Sequence, residues 1–433
     1  MADSTTPIVP VDSTRRSFLK TTTAAAIGGS VAATMSSAAM VHAAGSDTIK
    51  VGLIGCGGRG SGAAVNAMGA DKNAKLVAIA DVFPDVLDRA KRVLGQQLGQ
   101  QYAVKDDSAF HGFDAYKQMM ATDVDVVLLC TPPHFRPLHL RAAVEAGKHI
   151  FCEKPVAVDA PGVRSCMESS EMAAKKGLSL VSGLCWRYDY GVRETMKRIQ
   201  DGAIGDIVSI QENYLAGVLW HRGRKPEWSE MEYQMRNWLY FTWLSGDHNV
   251  EQHIHSLDKA MWLMGDKAPK HCFGIGGRQV RTGEQWGNIF DHHAVCYEWE
   301  NGVKTFAYTR QMADCFNETE DYVYGTKGRA SILAHEVTSG SDTWRYKGDK
   351  PSMYDVEHVE LFASIRAGKP INNGDYMNKS TMMAIMGRMA TYTGKKITWE
   401  QAINSQENLS PAKYEWGNVA IPEVPMPGQT KFV

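Results

Sequence analysis

Ile49-Lys50-Val51-Gly52-Leu53-Ile54-Gly55-Cys56-Gly57-Gly58-Arg59-Gly60 is the stretch that decides the fold. A short apolar run reads as a strand and breaks directly into G-x-G-x-x-G, and Ser61 to Met68 continues in a helix-compatible pattern. In a strand–turn–helix unit such glycines allow a tight turn, close backbone approach to a pyrophosphate, and close packing of helix on strand. The free N–H groups at the helix start then meet the phosphates. A glycine-rich turn alone specifies little. Here a second strand, Leu76 to Ala80, ends at Asp81, about twenty residues beyond the last glycine. A carboxylate there can accept both ribose hydroxyls and would repel a 2′-phosphate. The combination favours NAD, while Arg59 beside the phosphates and Arg89 nearby leave room for NADP.

Further along, Val124 to Cys130 is a continuous apolar run ending in Thr131-Pro132-Pro133-His134. A helix from about Arg136 to Ala146 stops at Gly147, and His149 to Cys152 forms a strand that runs into Glu153-Lys154-Pro155. Strands alternating with helices argue for a doubly wound parallel sheet, whose ligands lie beyond the carboxyl ends of its strands. Thr131, Pro132 and His134 stand at one such end, and Glu153 and Lys154 at the next. The reading is an α/β Rossmann domain over residues 46–156, followed by an α+β domain over residues 157–433. In that second part Ala294 to Trp299 and Val303 to Thr309 flank Glu300-Asn301-Gly302, a hairpin signal because Asn-Gly accepts positive φ. Val356 to Ala367 and Met377 to Thr393 read as helices.

The most informative stretch of the second domain is Asp247 to Asp258. On a helix, Glu251, His255 and Asp258 fall at i, i+4 and i+7 on one face. A histidine near a hydroxyl suits acid/base work because its pKa lies near neutrality. Three histidines in this stretch, with Asp291-His292-His293 later, also invite a metal reading. E-x-x-x-H supplies only two ligands, so no metal is assigned. The excursion from Leu215 to Leu244 offers Trp220, His221, Arg222, Arg224 and Arg236 to hydroxyl or carboxylate groups, and equally reads as a packed surface loop.

Taken together, G-x-G-x-x-G, T-P-P-H and E-K-P in this order resemble the glucose-fructose oxidoreductase and inositol dehydrogenase (Gfo/Idh/MocA) superfamily. The resemblance implies that Lys154 sits by the nicotinamide and the reacting hydroxyl, with Glu153 orienting the cofactor or the lysine. It places Glu251 where Asp is usual in D-x-x-x-H-x-x-D, and gives His255 a part in proton transfer. Arg187, Tyr188 and Asp258 would hold neighbouring hydroxyls. It further implies a large, mostly antiparallel open sheet, C-terminal helices packed back on the Rossmann domain, and a dimer or tetramer. The function implied is NAD(P)-dependent oxidation of a secondary hydroxyl on a sugar or glycoside. Two rivals are a redox-neutral NAD-dependent α-N-acetylgalactosaminidase and an inactive carbohydrate-binding protein, and Lys154 with His255 argues against the second.

Length and composition agree. The 433 residues are too many for one ordinary core, and 44% hydrophobic with 22% charged residues describes a globular chain. A net charge of −1 gives no reason to expect nucleic acid or an anionic membrane. The eight cysteines are scattered without a C-x-x-C pair, which favours neither a disulfide framework nor zinc. Residues 1–45 resemble a twin-arginine export signal: Thr14-Arg15-Arg16-Ser17-Phe18-Leu19-Lys20 opens an uncharged stretch, and Val41-His42-Ala43 suits a signal peptidase. The expected address is periplasmic or otherwise exported. A periplasm holds no free NAD pool, so the cofactor should stay on the protein.

Overall fold

The computed structural model describes residues 48–433. The expected twin-arginine signal and cleavage site lie outside the described residues. The chain opens with Ile49–Ile54 (β1), Gly58–Ala70 (α1), Ala74–Asp81 (β2), Pro84–Leu98 (α2), Ala109–His111 (β3) and Ala115–Met120 (α3). Val126–Leu129 (β4), Arg136–Glu145 (α4), His149–Cys152 (β5), Ala160–Lys175 (α5) and Leu180–Ser182 (β6) follow. The six strands form a parallel sheet in the order β3-β2-β1-β4-β5-β6. β4 and the last three residues of β5 are wholly buried, as strands covered by helices on both faces must be. The strand order reverses beside β1, and the crevice there is where such sheets bind ligands.

The domain boundary expected at residue 156 is corrected. Ile150, Phe151 and Cys152 pair in parallel with Leu180, Val181 and Ser182, so α5 and β6 complete the first sheet. Without β6, the largely buried β5 would be left as an edge strand.

The second domain contains Tyr190–Gln200 (α6), Ile207–Ala216 (β7), Glu230–Arg236 (α7), Thr242–Ser245 (α8), His248–Glu251 (α9) and Ile254–Leu263 (α10). His271–Gly277 (β8), His292–Glu298 (β9), Lys304–Gln311 (β10), Glu318–Gly325 (β11), Gly328–Ser331 (β12), Glu336–Ser339 (β13) and Asp342–Arg345 (β14) come next. Met353–Arg366 (α11), Gly374–Thr393 (α12), Ile397–Thr398 (β15) and Trp399–Ile403 (α13) complete the regular elements. Nine strands form one sheet in the order β14-β13-β12-β11-β7-β10-β9-β8-β15, antiparallel except between β7 and β10. β10 alternates buried and exposed residues along its length. Its buried side chains join a core with α10 and α12. Phe273, Ile275, Phe306 and Tyr308 are exposed, so the other face is open and partly apolar. α11 returns to the first domain, where Arg366 pairs with Asp71 at 2.8 Å and Asp355 accepts from Asn66 at 2.7 Å.

The single helix expected through Glu251, His255 and Asp258 is two helices. His253 N–H reaches back five residues to His248 O at 3.1 Å, a widened turn between α9 and α10. The extra residue rotates the second segment relative to the first. His255 remains beside Glu251, while Asp258 turns away.

Candidate active site

A cleft of about 380 Å³ lies along the carboxyl ends of the parallel strands. Gly55, Gly57, Arg59, Asp81, Thr131, Pro132, Glu153, Lys154, Glu251 and His255 all line it. Residues from Gly55 to His255, distant in sequence, thus line one cleft.

At the glycine turn, Gly57 caps α1 without any side-chain hydrogen bond to the helix N–H groups. A Cβ at Gly57 or Gly58 would meet nothing within 4 Å, so the turn presents bare backbone. At Gly60 a Cβ would sit 1.8 Å from Gly55 O, and Gly55 itself has φ +94°. Gly60 therefore serves packing, and Gly57 and Gly58 serve access. Asp81 accepts from Cys56 N at 2.7 Å and Phe83 N at 3.0 Å, which fixes its carboxylate beyond the turn. Burial raises its pKa, and those two N–H groups oppose the rise. An open cradle of N–H groups followed by an oriented carboxylate fits a dinucleotide's pyrophosphate and adenosine ribose. Gly60→Ala should cost about 3 kcal/mol in urea unfolding, because the added methyl meets backbone. Gly57→Ala should leave the unfolding midpoint in place and weaken NAD binding in a titration.

Two cofactor expectations change in detail. His134 does not line the cleft: its Nε2 is 2.8 Å from Tyr414 Oη, its ring packs on Phe135 and Trp243, and burial lowers its pKa to about 4. Arg59 lines the cleft, but its guanidinium pairs with Glu153 and, at 2.9 Å, with Glu357. Those carboxylates offset the charge that would otherwise favour a 2′-phosphate.

The other end of the cleft carries the ionisable groups. Lys154 Nζ donates to Glu251 Oε1 at 2.9 Å and to Glu251 O at 2.5 Å, with both side chains largely buried. An ammonium has three donors, so one remains for a ligand. Glu153 accepts from Arg59 Nε and from the Lys154 backbone N–H at 3.2 Å. A Cβ at Gly183 would lie 2.8 Å from Glu153 Oε2, so this strand end admits the carboxylate only because the residue is glycine. His255 lines the same end, and its Nδ1 is buried without a protein partner. Its pKa is held well below 6.5 by burial first, then by the positive charges of Lys154, Lys259 and Arg59. The imidazole is therefore neutral at physiological pH and able to accept a proton.

The candidate substrate residues are placed elsewhere. Arg187 donates to Asp258 Oδ2 at 2.9 Å and to Asp266 Oδ1 at 2.6 Å, with Asp258 also accepting from Ser380 at 2.7 Å. Tyr188 donates to Asn373 at 2.8 Å. All three expected contacts lie off the cleft lining, in a buried network joining α10 to α12. The cause is the turn before α10, which points Asp258 toward Arg187. Arg236 lines the cleft, but at the Asp81 end, paired with Asp85 and Glu232 at 2.9 and 2.8 Å. Its place suits the adenosine side and does not suit the reacting hydroxyl.

Gly183, Phe113 and Tyr354 also line the cleft, and Glu357 reaches it through Arg59; none stands in a sequence motif. Among the described residues, Asp247, His248 and His293 bring possible metal-ligand atoms within 4.8 Å of one another. Asp247 already accepts from Tyr392 Oη at 2.5 Å, Phe290 N at 2.9 Å and the His248 N–H. That buried cluster ties the α8–α9 turn to β9 and α12, and it is distinct from the Glu251–His255 pair.

Residues 49–184 match the GFO_IDH_MocA profile, an oxidoreductase family with an NAD-binding Rossmann fold. Over these residues the chain is similar to that family. This NAD-binding enzyme domain coincides with the first sheet, β6 included, and NAD is its cofactor. The chain is 29% identical over 220 residues to 2,7-anhydro-N-acetylneuraminate hydratase of Escherichia coli (strain K12), covering 50% of this chain and 54% of that protein. It thus spans about half the length of that relative. It is also 29% identical over 326 residues to inositol 2-dehydrogenase of Rhizobium meliloti (strain 1021), covering 73% and 86%. Among solved structures, aldose-aldose oxidoreductase from Caulobacter crescentus matches with a TM-score of 0.63 at 18% identity, over 81% of this chain and 99% of that one. This likeness shows a shared fold across both domains.

Proposed function

We propose that the protein is an NAD-dependent oxidoreductase acting on a secondary hydroxyl of a sugar, a sugar-like cyclitol or a glycoside. The observation that carries this reading is the meeting of Lys154, Glu251 and His255 at one end of the cleft whose other end holds Asp81. When bound, NAD supplies the acceptor for the hydride leaving the carbinol carbon. The free N–H of Lys154 Nζ holds the substrate oxygen, and the ammonium stabilises the negative charge that develops there. Neutral His255 takes the hydroxyl proton. Glu251 aims Lys154 by accepting from its Nζ through both the side-chain carboxylate and the backbone carbonyl.

The likeness of Thr14 to Lys20 to a twin-arginine signal supports a reading in which the folded chain is exported, cofactor aboard, to the periplasm or outside the cell. Reduction of a second carbonyl on the same protein then restores NAD. The open, partly apolar sheet face supports association with a second copy into a dimer or tetramer.

Similarity to a hydratase favours one second reading, a redox-neutral reaction. There a transient ketone acidifies the neighbouring C–H, a group is eliminated, water adds, and the hydride returns. Incubating the mature protein with aldoses, inositols and aryl glycosides in D₂O separates the two. The oxidoreductase yields a ketone with no deuterium fixed in recovered substrate and no released aglycone. Aglycone release with deuterium beside the oxidised carbon, and no net NADH, would transfer the assignment to the redox-neutral reaction.

A further inference from the structure

Residues 405–433 form no helix or strand, yet they are tied to the rest of the chain at several points. Leu409 N donates to Asp159 Oδ2 at 3.0 Å. Tyr414 binds His134 at 2.8 Å and places its ring against Phe113 and Phe135 at 6.2 and 5.8 Å. Trp416 stacks on Phe83 at 5.5 Å and meets Phe113 at 4.8 Å. The segment then crosses to α7, where Gly417 O accepts from Met231 N at 3.0 Å and Ala420 O from Gln234 Nε2 at 3.2 Å. It returns to its own start, with Val433 O accepting from Gln406 N at 3.2 Å.

The two places this segment grips are the two walls of the cleft's Asp81 end. Phe83, Phe113 and Phe135 line one side, and Met235 and Arg236 of α7 line the cleft from the second domain. We infer that the C-terminal segment is part of the dinucleotide site. It acts as a strap that holds the adenosine end closed, with Tyr414 and Trp416 as positioning residues acting through Phe113, Phe83 and His134. This explains why His134, at the end of a parallel strand, faces the strap and not the cleft. It also gives the protein a means of keeping NAD through successive turnovers. Trp416 remains 45% exposed, so its ring contributes little to the core and its removal tests the strap more than the fold.

The inference rests on NAD occupying this cleft. The test uses Trp416→Ala and the Tyr414→Ala/Trp416→Ala pair in the full mature chain, with NADH fluorescence followed after mixing with excess ADP-ribose. The expected result is NADH release about tenfold faster than in the wild type, already present in Trp416→Ala. Affinity for 5′-AMP should fall while affinity for nicotinamide mononucleotide and the KM for the hydroxyl substrate hold. The apo melting temperature of Trp416→Ala should stay near that of the wild type. Release from Trp416→Ala at the wild-type rate, or equal losses for both half-ligands, overturns the strap while leaving the NAD site standing. A wild-type protein that binds no dinucleotide overturns both.

Discussion

Lys154→Met should lower kcat about a thousandfold while NAD affinity stays close to that of the unaltered protein. The lysine meets Glu251 twice and leaves one donor for the substrate oxygen, so its loss removes the cation at the point where charge develops. The groups that fit the dinucleotide, the Gly55–Gly60 turn and Asp81, lie at the other end of the cleft and are untouched. Methionine keeps the length and apolar stem of lysine, which limits damage to packing. Single-turnover absorbance of NADH gives the rate, and a NAD titration of the same sample gives the affinity. The variant should also shift the acid limb of kcat/KM toward higher pH, because Lys154 is one of the positive charges that depress the His255 pKa. Wild-type turnover in Lys154→Met would remove the residue from the chemistry.

The second large effect is on stability in acid. His134, His139 and His358 are buried, and burial first of all lowers their pKa values to about 4, about 3 and about 3. Unfolding releases each to titrate near 6.5. The folded chain therefore binds fewer protons than the unfolded chain between those values. The resulting stability is full above pH 6.5 and is lost as the pH falls below it. At pH 5 the loss is about 2 kcal/mol for each ring, or roughly 6 kcal/mol for the three, a large part of a typical domain's stability. Urea unfolding at pH 7.5 and pH 5 measures this. His358 has neither ring nitrogen hydrogen-bonded and packs against Phe151 at 4.3 Å, so His358→Phe should reduce the acid loss by about 2 kcal/mol. An acid loss identical in that variant would show that these imidazoles do not govern it.

Much of the cleft was readable from local pattern. The glycine turn, Asp81 and the strand-end residues Thr131 and Lys154 each follow a strand within a few positions, and a parallel sheet delivers strand ends to one crevice. The errors arise where placement depends on distant contacts. Periodicity gives Glu251, His255 and Asp258 one face, but His253 N–H reaches His248 O and rotates the following helix. Asp258 consequently joins Arg187 in a buried pair that no spacing rule reveals. The domain boundary failed for a similar reason. Leu180 to Ser182 is too short to declare its partner, and only pairing with β5 assigns it to the first sheet. Arg236 stands in an aromatic excursion that reads as substrate-facing, and its partner Asp85 lies in α2, far back in the chain.

The most direct test of the central claim is to purify the protein without added cofactor and record the near-ultraviolet NADH band during titration with sugars and cyclitols. The account predicts co-purified dinucleotide, reduced by a hydroxyl substrate to no more than one equivalent per chain and reoxidised by a second carbonyl compound. A protein that carries no dinucleotide and gives no NADH signal with any of these sugars, even after NAD is supplied, would contradict it.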